Sequence, residues 1–181
     1  ASFASEPGLF RYDAHLDMIV VGEYRGYDAT IVSCSNRQVT RVPRLWARRG
    51  PYPFGSRSAY EISAGYDSYA SSSELLLVDA QGVLEKADWL PQDTNVIGND
   101  FGGQPLVLMP AGLGSKNPLT RRWVLARPDP TAKTANQMVE LGSGEYATGS
   151  LSPSGRVCIL RLFGGEERGL YAVDLTRSPL T

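Results

Sequence analysis

The clearest local pattern in the chain runs over residues 142–175 and reads GSGEYATGSLSPSGRVCILRLFGGEERGLYAVDL. Its SPSG segment at 152–155 is a turn signal, because Pro presets φ and Gly accepts a positive φ. The apolar run RVCILRLF follows at 156–163, and a second run, LYAVDL, occupies 170–175. Two short apolar runs joined by a glycine-bearing connection predict a β-hairpin.

The rest of the chain repeats this pattern. The central apolar run of each repeat ends at Cys34, Asp79, Arg127 and Asp174, at intervals of 45, 48 and 47 residues. A regular period in this range is typical of propeller blades with about four strands each. We therefore expect one domain over 1–181, with a flexible arm at 1–8 and four repeats at approximately 9–42, 59–90, 105–141 and 150–181.

Composition supports an all-β fold. The 181 residues include 19 Gly and 12 Pro, which suits a protein rich in turns, and no window holds a sustained helical set of apolar positions. We predict a four-bladed β-propeller or a propeller-like array of antiparallel sheets, with a β-sandwich as the alternative. Because propeller closure usually combines both termini, we expect LFRYD at 9–13 to complete the last blade.

The segment SLSPSGRVCILRLFGGEERGLYAVDL resembles the TolB-type β-propeller repeat, in which a Ser-Pro-Asp-Gly turn precedes one strand and a Leu-Tyr-Val-Met-Asp-Leu-like run forms the next. The resemblance covers about 35 residues. The segment ELLLVDAQG of the second repeat matches only the latter half of the family's repeat. Ser154 stands at the position of the Asp in the family's turn. The resemblance implies a propeller that serves as a binding platform, although a few relatives carry peptidase domains or polysaccharide-lyase sites. It also implies an extracytoplasmic location, with which the start at Ala1 rather than Met agrees.

Charge and hydropathy exclude several classes of protein. The net charge of −1 does not attract nucleic acid, and no nucleic-acid-binding motif occurs. Apolar runs are five or six residues long, far below the ~20 that a membrane helix needs. No basic segment followed by an apolar one begins the chain, so no signal peptide is visible.

Candidate catalytic and metal-binding residues are few, and we predict a non-catalytic protein without a cofactor or metal. The single histidine, His15, lies in the polar stretch DAHLD, where an exposed surface position is expected, and no GxSxG nucleophile elbow is present. Zinc is excluded by the shortage of His and Cys. Calcium would find oxygen ligands in one loop, and glycoside cleavage would need a carboxylate pair, of which Glu166 with Glu167 and Asp13 with Asp17 are examples. The loop oxygens belong to Asp93, Asn95, Asn99 and Asp100.

Two cysteines, Cys34 and Cys158, lie far apart in the sequence. They are compatible with one disulfide or with two buried thiols that act as small hydrophobic residues.

Charge is distributed most unevenly in one basic segment of the chain. Six arginines fall within 37–57 with no acidic residue among them, and aromatic residues are interleaved. Arginine binds carboxylate and phosphate groups with two hydrogen bonds and stacks on aromatic rings, and both residue types are enriched at interfaces. The predicted partner-binding residues are Arg37, Arg41, Arg44, Trp46, Arg48, Arg49, Tyr52, Phe54 and Arg57. The alternative is a connection between blades whose arginines pair with acids elsewhere.

From these features we expect a protein-binding or scaffold module, an accessory subunit of a larger assembly that docks through this segment. The expected partner is a protein with an acidic surface, and an anionic lipid head group or glycan would suit the same chemistry. The alternative function is a carbohydrate-binding or carbohydrate-cleaving propeller. Trp46, Trp89 and Trp123 fall one in each of the first three repeats, but at different positions, so packing is favoured over repeated sugar sites.

Overall fold

The computed structural model describes residues 7–23, 29–42, 47–63, 73–111 and 121–177. The regular elements of these ranges are all β-strands, and no helix that could span a membrane occurs within them. The strands form four antiparallel sheets, and in each sheet the strands are neighbours in the order in which they follow along the chain. The all-β prediction is confirmed.

The first two sheets contain four strands each. Sheet 1 consists of β1 (Pro7–Asp13), β2 (Met18–Glu23), β3 (Ala29–Ser33) and β4 (Val39–Val42). Sheet 2 consists of β5 (Ala47–Phe54), β6 (Arg57–Ser63), β7 (Ser73–Val78) and β8 (Leu84–Lys86).

The other two sheets continue the pattern. Sheet 3 consists of β9 (Asn95–Asn99), β10 (Pro105–Pro110), β11 (Arg122–Asp129) and β12 (Thr134–Ser143). Sheet 4 consists of β13 (Tyr146–Leu151), β14 (Val157–Phe163) and β15 (Gly169–Asp174). Up-and-down sheets of this kind are typical of propeller blades, whereas the strands of a β-sandwich cross between sheets in Greek keys.

The chain divides into two compact units, Ala1–Ala87 and Asp88–Thr181. Each contains two sheets whose first strands contact one another, β1 with β5 in the first unit and β9 with β13 in the second. The prediction of one domain over the whole chain stays a prediction.

The core of the first unit lies between its sheets. Alternation along β3 buries Ala29 and Ile31, and these pack with Met18 and Val20 of β2. Tyr60 of sheet 2 belongs to the same cluster. This alternation is the consequence of the two-residue period of a strand.

The core of the second unit is larger. Strand β14 alternates between exposed and buried residues, and its buried Leu160 and Leu162 pack with Trp123 and Leu125 of β11. Strand β10 is buried along its whole length. The sheets therefore stack face to face through apolar side chains.

The four residues that mark the expected repeats all lie at the third strand of a sheet. Cys34 follows β3, Asp79 follows β7, Arg127 lies on β11 and Asp174 ends β15. Two of these residues cap the turn that follows. Asp79 Oδ1 accepts hydrogen bonds from the backbone N–H groups of Gln81 (2.9 Å) and Val83 (2.8 Å), and Asp174 Oδ1 accepts one from that of Thr176 (3.0 Å).

Several expected boundaries differ from the observed ones. Strand β1 begins at Pro7, inside the segment expected to be an arm, and it pairs with β2, so the expectation that 9–13 completes the last blade is wrong. Strand β5 occupies 47–54, between the first two expected repeats. An edge strand tolerates Pro51 and Pro53, and the register of β5 with β6 shifts twice before Tyr52. Sheets 3 and 4 begin at Asn95 and Tyr146, before the expected 105 and 150.

Candidate binding surface

The turns of the first unit provide its candidate binding surface. In sheet 1 the chain reverses at 14–17 and at 34–38, and in sheet 2 at 55–56 and at 79–83. In an up-and-down sheet the first and third connections lie at the same end. The two turns named for each sheet are therefore neighbours at one end of that sheet. We call these four turns the turn surface. Binding residues commonly lie on such loops because the sheets beneath hold them rigidly.

A buried carboxylate fixes the first of these turns. Asp13 Oδ1 accepts hydrogen bonds from the backbone N–H groups of His15 (3.0 Å) and Leu16 (3.3 Å). Its Oδ2 accepts one from the Tyr60 hydroxyl at 2.8 Å, and both side chains are buried. Burial and the nearby Asp13 carboxylate raise the pKa of Tyr60, which therefore keeps its proton and its role as donor at neutral pH.

His15 joins the turns of the two sheets. Its Nε2 lies 3.0 Å from the backbone carbonyl oxygen of Gly55, in the turn between β5 and β6. A carbonyl can only accept, so Nε2 carries the proton and donates it to the Gly55 oxygen. The side chain is exposed, as the sequence predicted.

Three further polar side chains gather beside this turn. The Tyr12 hydroxyl donates to Asp17 Oδ1 at 2.8 Å, and the Cys34 backbone N–H donates to the Asp17 carbonyl at 2.9 Å. Partial desolvation and the Asp17 carboxylate raise the pKa of the Cys34 thiol. The thiol is consequently a poor nucleophile at neutral pH, since the thiolate is the reactive form. Tyr12 is 56% exposed and provides an aromatic contact surface.

The structure separates the predicted Arg/aromatic residues. Arg37 is exposed in the turn after β3, and Arg41 is exposed on β4. Tyr52 is half-buried on β5, whereas Phe54 is fully buried in the first unit. Burial removes Phe54 from any docking surface, because the apolar side chain of an edge strand points into the core here.

Arg57 also has an internal partner. Its Nη1 lies 2.5 Å from Glu85 Oε2 on β8 of the same sheet, and both side chains are about two-thirds buried. This ion pair is what the alternative interpretation of the basic segment expects for that residue. Arg44 and Trp46 lie outside the described residues, and Arg48 and Arg49 lie on β5 with side chains outside the description.

Two carboxylates of the proposed calcium loop, Asp93 and Asp100, are held by arginines. Asp93 Oδ2 accepts from Arg121 Nη1 at 2.8 Å, and Asp100 Oδ2 accepts from Arg127 Nη2 at 2.5 Å. Asp100 Oδ1 also accepts from two backbone N–H groups of its turn. Within the described ranges no three His, Cys, Asp or Glu side chains meet as metal ligands. These carboxylates are structural, and the calcium hypothesis has no support.

Neither described tryptophan forms an open sugar platform. Trp123 is fully buried, and its indole N–H donates to the Gly144 carbonyl at 3.0 Å. Its ring meets that of Tyr146 edge to face, with centroids 6.5 Å apart. Trp89 is half-buried, with its indole nitrogen enclosed. Both observations support the packing interpretation.

The two thiols are free. Cys158 is buried in the core of the second unit, where burial raises its pKa to about 12, and Cys34 is exposed in the first unit. The disulfide hypothesis is therefore wrong, and the small-hydrophobe interpretation applies to Cys158 alone.

The sequence did not predict that Tyr60 bonds to Asp13 or that Glu85 pairs with Arg57. It indicated Asp13 only as a member of a carboxylate pair. Tyr60 lies 47 positions after Asp13, and Glu85 lies 28 positions after Arg57. No local pattern reports such pairs. The turn-capping role of Asp13 could have been predicted from the sequence. An Asp side chain commonly accepts a hydrogen bond from the backbone N–H two residues further along a turn.

Comparison with solved structures gives the same fold. TolB from Acinetobacter baumannii is similar with a TM-score of 0.51 and 13% sequence identity, over 91% of this chain and 40% of TolB. A protein from Lactobacillus plantarum is 14% identical over 93% of this chain and 53% of its own, with a TM-score of 0.44. The β-propeller domain of the trilobed protease from Pyrococcus furiosus is 9% identical over 80% and 44%, with a TM-score of 0.45.

The chain thus spans about half, or less, of the length of these structures. No protein-family model matches the sequence, and no curated protein is similar to it. The structural similarity to TolB covers 91% of this chain and shows the fold alone. The chain is an all-β protein with a propeller-like array of antiparallel sheets.

Proposed function

We propose that this protein is a non-catalytic binding module, an accessory subunit that docks onto a partner protein with an acidic surface. The observation that carries the proposal is the construction of the turn surface. A buried Asp13–Tyr60 hydrogen bond and the His15–Gly55 contact hold turns of two sheets together, and the exposed side chains of Tyr12 and Arg37 belong to the same end of sheet 1. A rigid base reduces the conformational entropy that binding costs.

The residue types on this surface favour a protein partner. Tyr and Arg are the residues that most often dominate the binding energy of protein interfaces. Arg37 and Arg41 are both exposed, and they belong to a segment without acidic residues. Arg44, Arg48 and Arg49 continue the basic segment beyond the turn surface, with Arg48 and Arg49 at the start of β5. A partner with carboxylates on its surface would therefore be attracted at low ionic strength.

A non-catalytic role is supported by the state of the reactive groups. His15 donates to a carbonyl, the raised pKa of Cys34 keeps it protonated, and the Asp13 carboxylate caps a turn. None of these three groups is arranged as a nucleophile with an adjacent base.

The first experiment is purification of the protein from its native source at low salt, with mass spectrometry of the proteins that accompany it. We expect a stoichiometric partner that high salt releases, because exposed charge pairs are screened. A solitary protein that binds oligosaccharides on a glycan array would overturn the proposal in favour of the carbohydrate-binding alternative. Recovery from an extracytoplasmic fraction would also test the location that the family resemblance implies.

Matched variants then locate the docking surface. R37A/R41A and R44A/R48A/R49A each remove charge from the basic segment, and R156A/R168A removes two exposed arginines of the second unit as the control. We expect the basic-segment variants to weaken the partner complex by tenfold or more and to reduce its salt dependence, while the control keeps both. If all three sets bind equally, the basic segment is not the docking surface.

A further inference from the structure

Strand β15 forms an open edge of sheet 4. Sheets 1, 2 and 3 each place a fourth strand beside the third, whereas sheet 4 has three strands within the described residues. The Leu175 backbone N–H donates to the Arg156 carbonyl at 2.8 Å. Because backbone groups alternate in direction along an antiparallel pair, every second residue before Leu175 bonds to β14, and the residues between point away from it. Leu170, Ala172 and Asp174 therefore present their N–H and C=O groups to the open edge.

The corresponding backbone groups are hydrogen-bonded in the other sheets. In sheet 1 the Ser33 N–H donates to the Gln38 carbonyl at 2.9 Å, where the chain returns as β4. In sheet 2 the Asp79 N–H donates to the Val83 carbonyl at 3.1 Å, where the chain returns as β8. The third strand of each of these sheets is thus paired on both sides. The positions that β15 leaves open bind a further strand elsewhere in the same molecule.

The described chain after β15 does not repeat the turn that leads into β8. The two turns begin alike, because Asp79 and Asp174 each accept a hydrogen bond from the backbone N–H two residues later. Three residues after Asp79, Gly82 has φ +75° and its N–H donates to the Asp79 carbonyl at 2.9 Å. Three residues after Asp174, Arg177 has no positive φ, and its Nε lies 3.1 Å from Asp174 Oδ2. Up to Arg177 the chain therefore does not turn back along β15 as it does along β7.

The open edge is accessible and unprotected. Leu170 is 73% exposed, and Ala172 is exposed as well. Edge strands are commonly protected by lysine, proline or a bulge, but β15 reads GLYAVD and pairs with β14 without a register shift. Such an edge is a template for β-augmentation, in which an extended peptide adds to a sheet as a further strand.

We propose that the edge of β15 binds an extended segment of a partner protein, which adds to sheet 4 as its fourth strand. The added strand runs antiparallel to β15, as the fourth strands of the other sheets do to their neighbours. Backbone hydrogen bonds to Leu170, Ala172 and Asp174 provide the affinity. Because opposed side chains share a face of the sheet, apolar residues of the segment opposite Leu170 and Ala172 add contact. This site is separate from the basic segment and does not depend on the function proposed above.

Amide hydrogen exchange of the whole protein, measured by NMR, tests the proposal. In the isolated protein we expect Leu170 and Ala172 to exchange at least ~100-fold faster than Tyr171 and Val173, which bond to β14. The probe is a blocked synthetic peptide with the sequence of β12 (Thr134–Ser143), the longest of the three fourth strands. We expect a dissociation constant on the order of 1 mM. At about five times that concentration, the peptide should slow the exchange of Leu170 and Ala172 about sixfold.

The control is the same peptide with proline in place of Met138 and Glu140, which cannot pair as a strand. Three outcomes would overturn the proposal. Slow exchange of Leu170 and Ala172 in the isolated protein would mean that the chain itself covers the edge. Exchange that slows as the protein concentration rises, without peptide, would mean that a second copy covers it. Exchange that the β12 peptide leaves unchanged, or slows no more than the proline peptide does, would mean that the edge binds no strand.

Substitutions then locate the bound peptide. A172P removes an N–H that points to the open edge and breaks no hydrogen bond to β14, whereas A172V keeps that N–H. We expect A172P to abolish peptide binding, A172V and R37A/R41A to retain it, and all three to keep the circular dichroism of the parent. Binding that survives A172P would reject the edge of β15. Binding that is lost in R37A/R41A would assign the peptide to the basic segment and overturn the separate site.

Discussion

The Tyr60 hydroxyl donates a hydrogen bond to the Asp13 carboxylate at 2.8 Å, and this contact joins the first strand of sheet 1 to the second strand of sheet 2. The same carboxylate caps the turn at 14–17 through its other oxygen. A single buried group therefore couples the packing of two sheets to the conformation of a turn that carries candidate binding residues.

Replacing Tyr60 with Phe should destabilise the protein by about 1–3 kcal/mol, because the buried Asp13 oxygen loses its donor. The free energy of unfolding in urea measures the effect. Y12F is the matched control, since the Tyr12 hydroxyl makes an exposed hydrogen bond to Asp17, and a change within ~0.5 kcal/mol is expected there. If Y60F and Y12F lowered the free energy of unfolding equally, the Asp13–Tyr60 hydrogen bond would not stabilise the protein more than an exposed one.

The same tyrosine predicts how stability depends on pH. Its pKa is raised in the folded protein, chiefly by burial, from the ordinary value of 10.0. Above that pH the unfolded chain loses the proton while the folded protein keeps it, so stability must fall as pH rises. We expect the unfolding free energy of the parent to fall more steeply than that of Y60F between pH 10 and 11. Burial also raises the pKa of Cys158 to about 12, but this contribution is present in both proteins and cancels.

Replacing Gly155 is predicted to destabilise the protein, because Gly155 lies where its turn contacts the backbone of Phe101. It has φ +67°, and a Cβ there would lie 2.6 Å from the backbone nitrogen of Phe101, which donates to the Gly155 carbonyl at 3.1 Å. Gly103 has a similar φ of +75° and nothing within 4 Å of its Cβ position. We expect G103A to cost about 1–2 kcal/mol through backbone strain alone, and G155A a further 1–3 kcal/mol or so through the clash. Urea unfolding of the two variants checks this, and equal costs would contradict it.

The parts of the fold that could be predicted are those with a local or periodic signal. The hairpin of β14 and β15 follows from a turn sequence between two apolar runs, and the third-strand positions follow from an even spacing. Strand β5 could not be predicted, because Pro51 and Pro53 indicate a break unless the strand is known to lie at a sheet edge. Edge position is a property of the assembled sheet.

The candidate site was harder to predict for a related reason. Phe54 belonged to an Arg-rich and aromatic segment, and only its place on β5 decides that it points into the core. The sequence predicted the same binding role for Arg57 and Arg37. Arg57 pairs with the Glu85 carboxylate of its own sheet, whereas Arg37 lies on an exposed turn. Composition within a segment reports its average chemistry, whereas the exposure of each side chain depends on strand pairing.

Asp100 is expected to be the most costly carboxylate to remove from the second unit. Its side chain is buried and holds two backbone N–H groups as well as Arg127, whose own side chain is about one-third exposed. We expect D100A to lower the free energy of unfolding by about 2–3 kcal/mol, less than for a fully buried pair. E140A is the control, because Glu140 pairs with Arg122 where both are exposed, and a loss within ~0.5 kcal/mol is expected. A small loss for D100A would contradict the structural role of the turn.

Thiol labelling should distinguish the two cysteines. With Ellman's reagent at pH 8 we expect one thiol, Cys34, to react in the folded protein, and the second to react only when guanidinium unfolds the chain, because Cys158 is buried with a raised pKa. D17N should accelerate the labelling of Cys34, since removal of the Asp17 charge lowers the pKa of that thiol. Asn also tolerates the positive φ of position 17, so the turn should be kept.

Two controls make the labelling experiment decisive. C34S should abolish reaction in the folded state, which identifies the reactive thiol. D88N removes an exposed carboxylate from the second unit and should leave the rate of Cys34 unchanged. If D17N reacts no faster than D88N, the Asp17 carboxylate does not control the thiol. If both thiols react at similar rates in the folded protein, Cys158 does not lie in the core of the second unit.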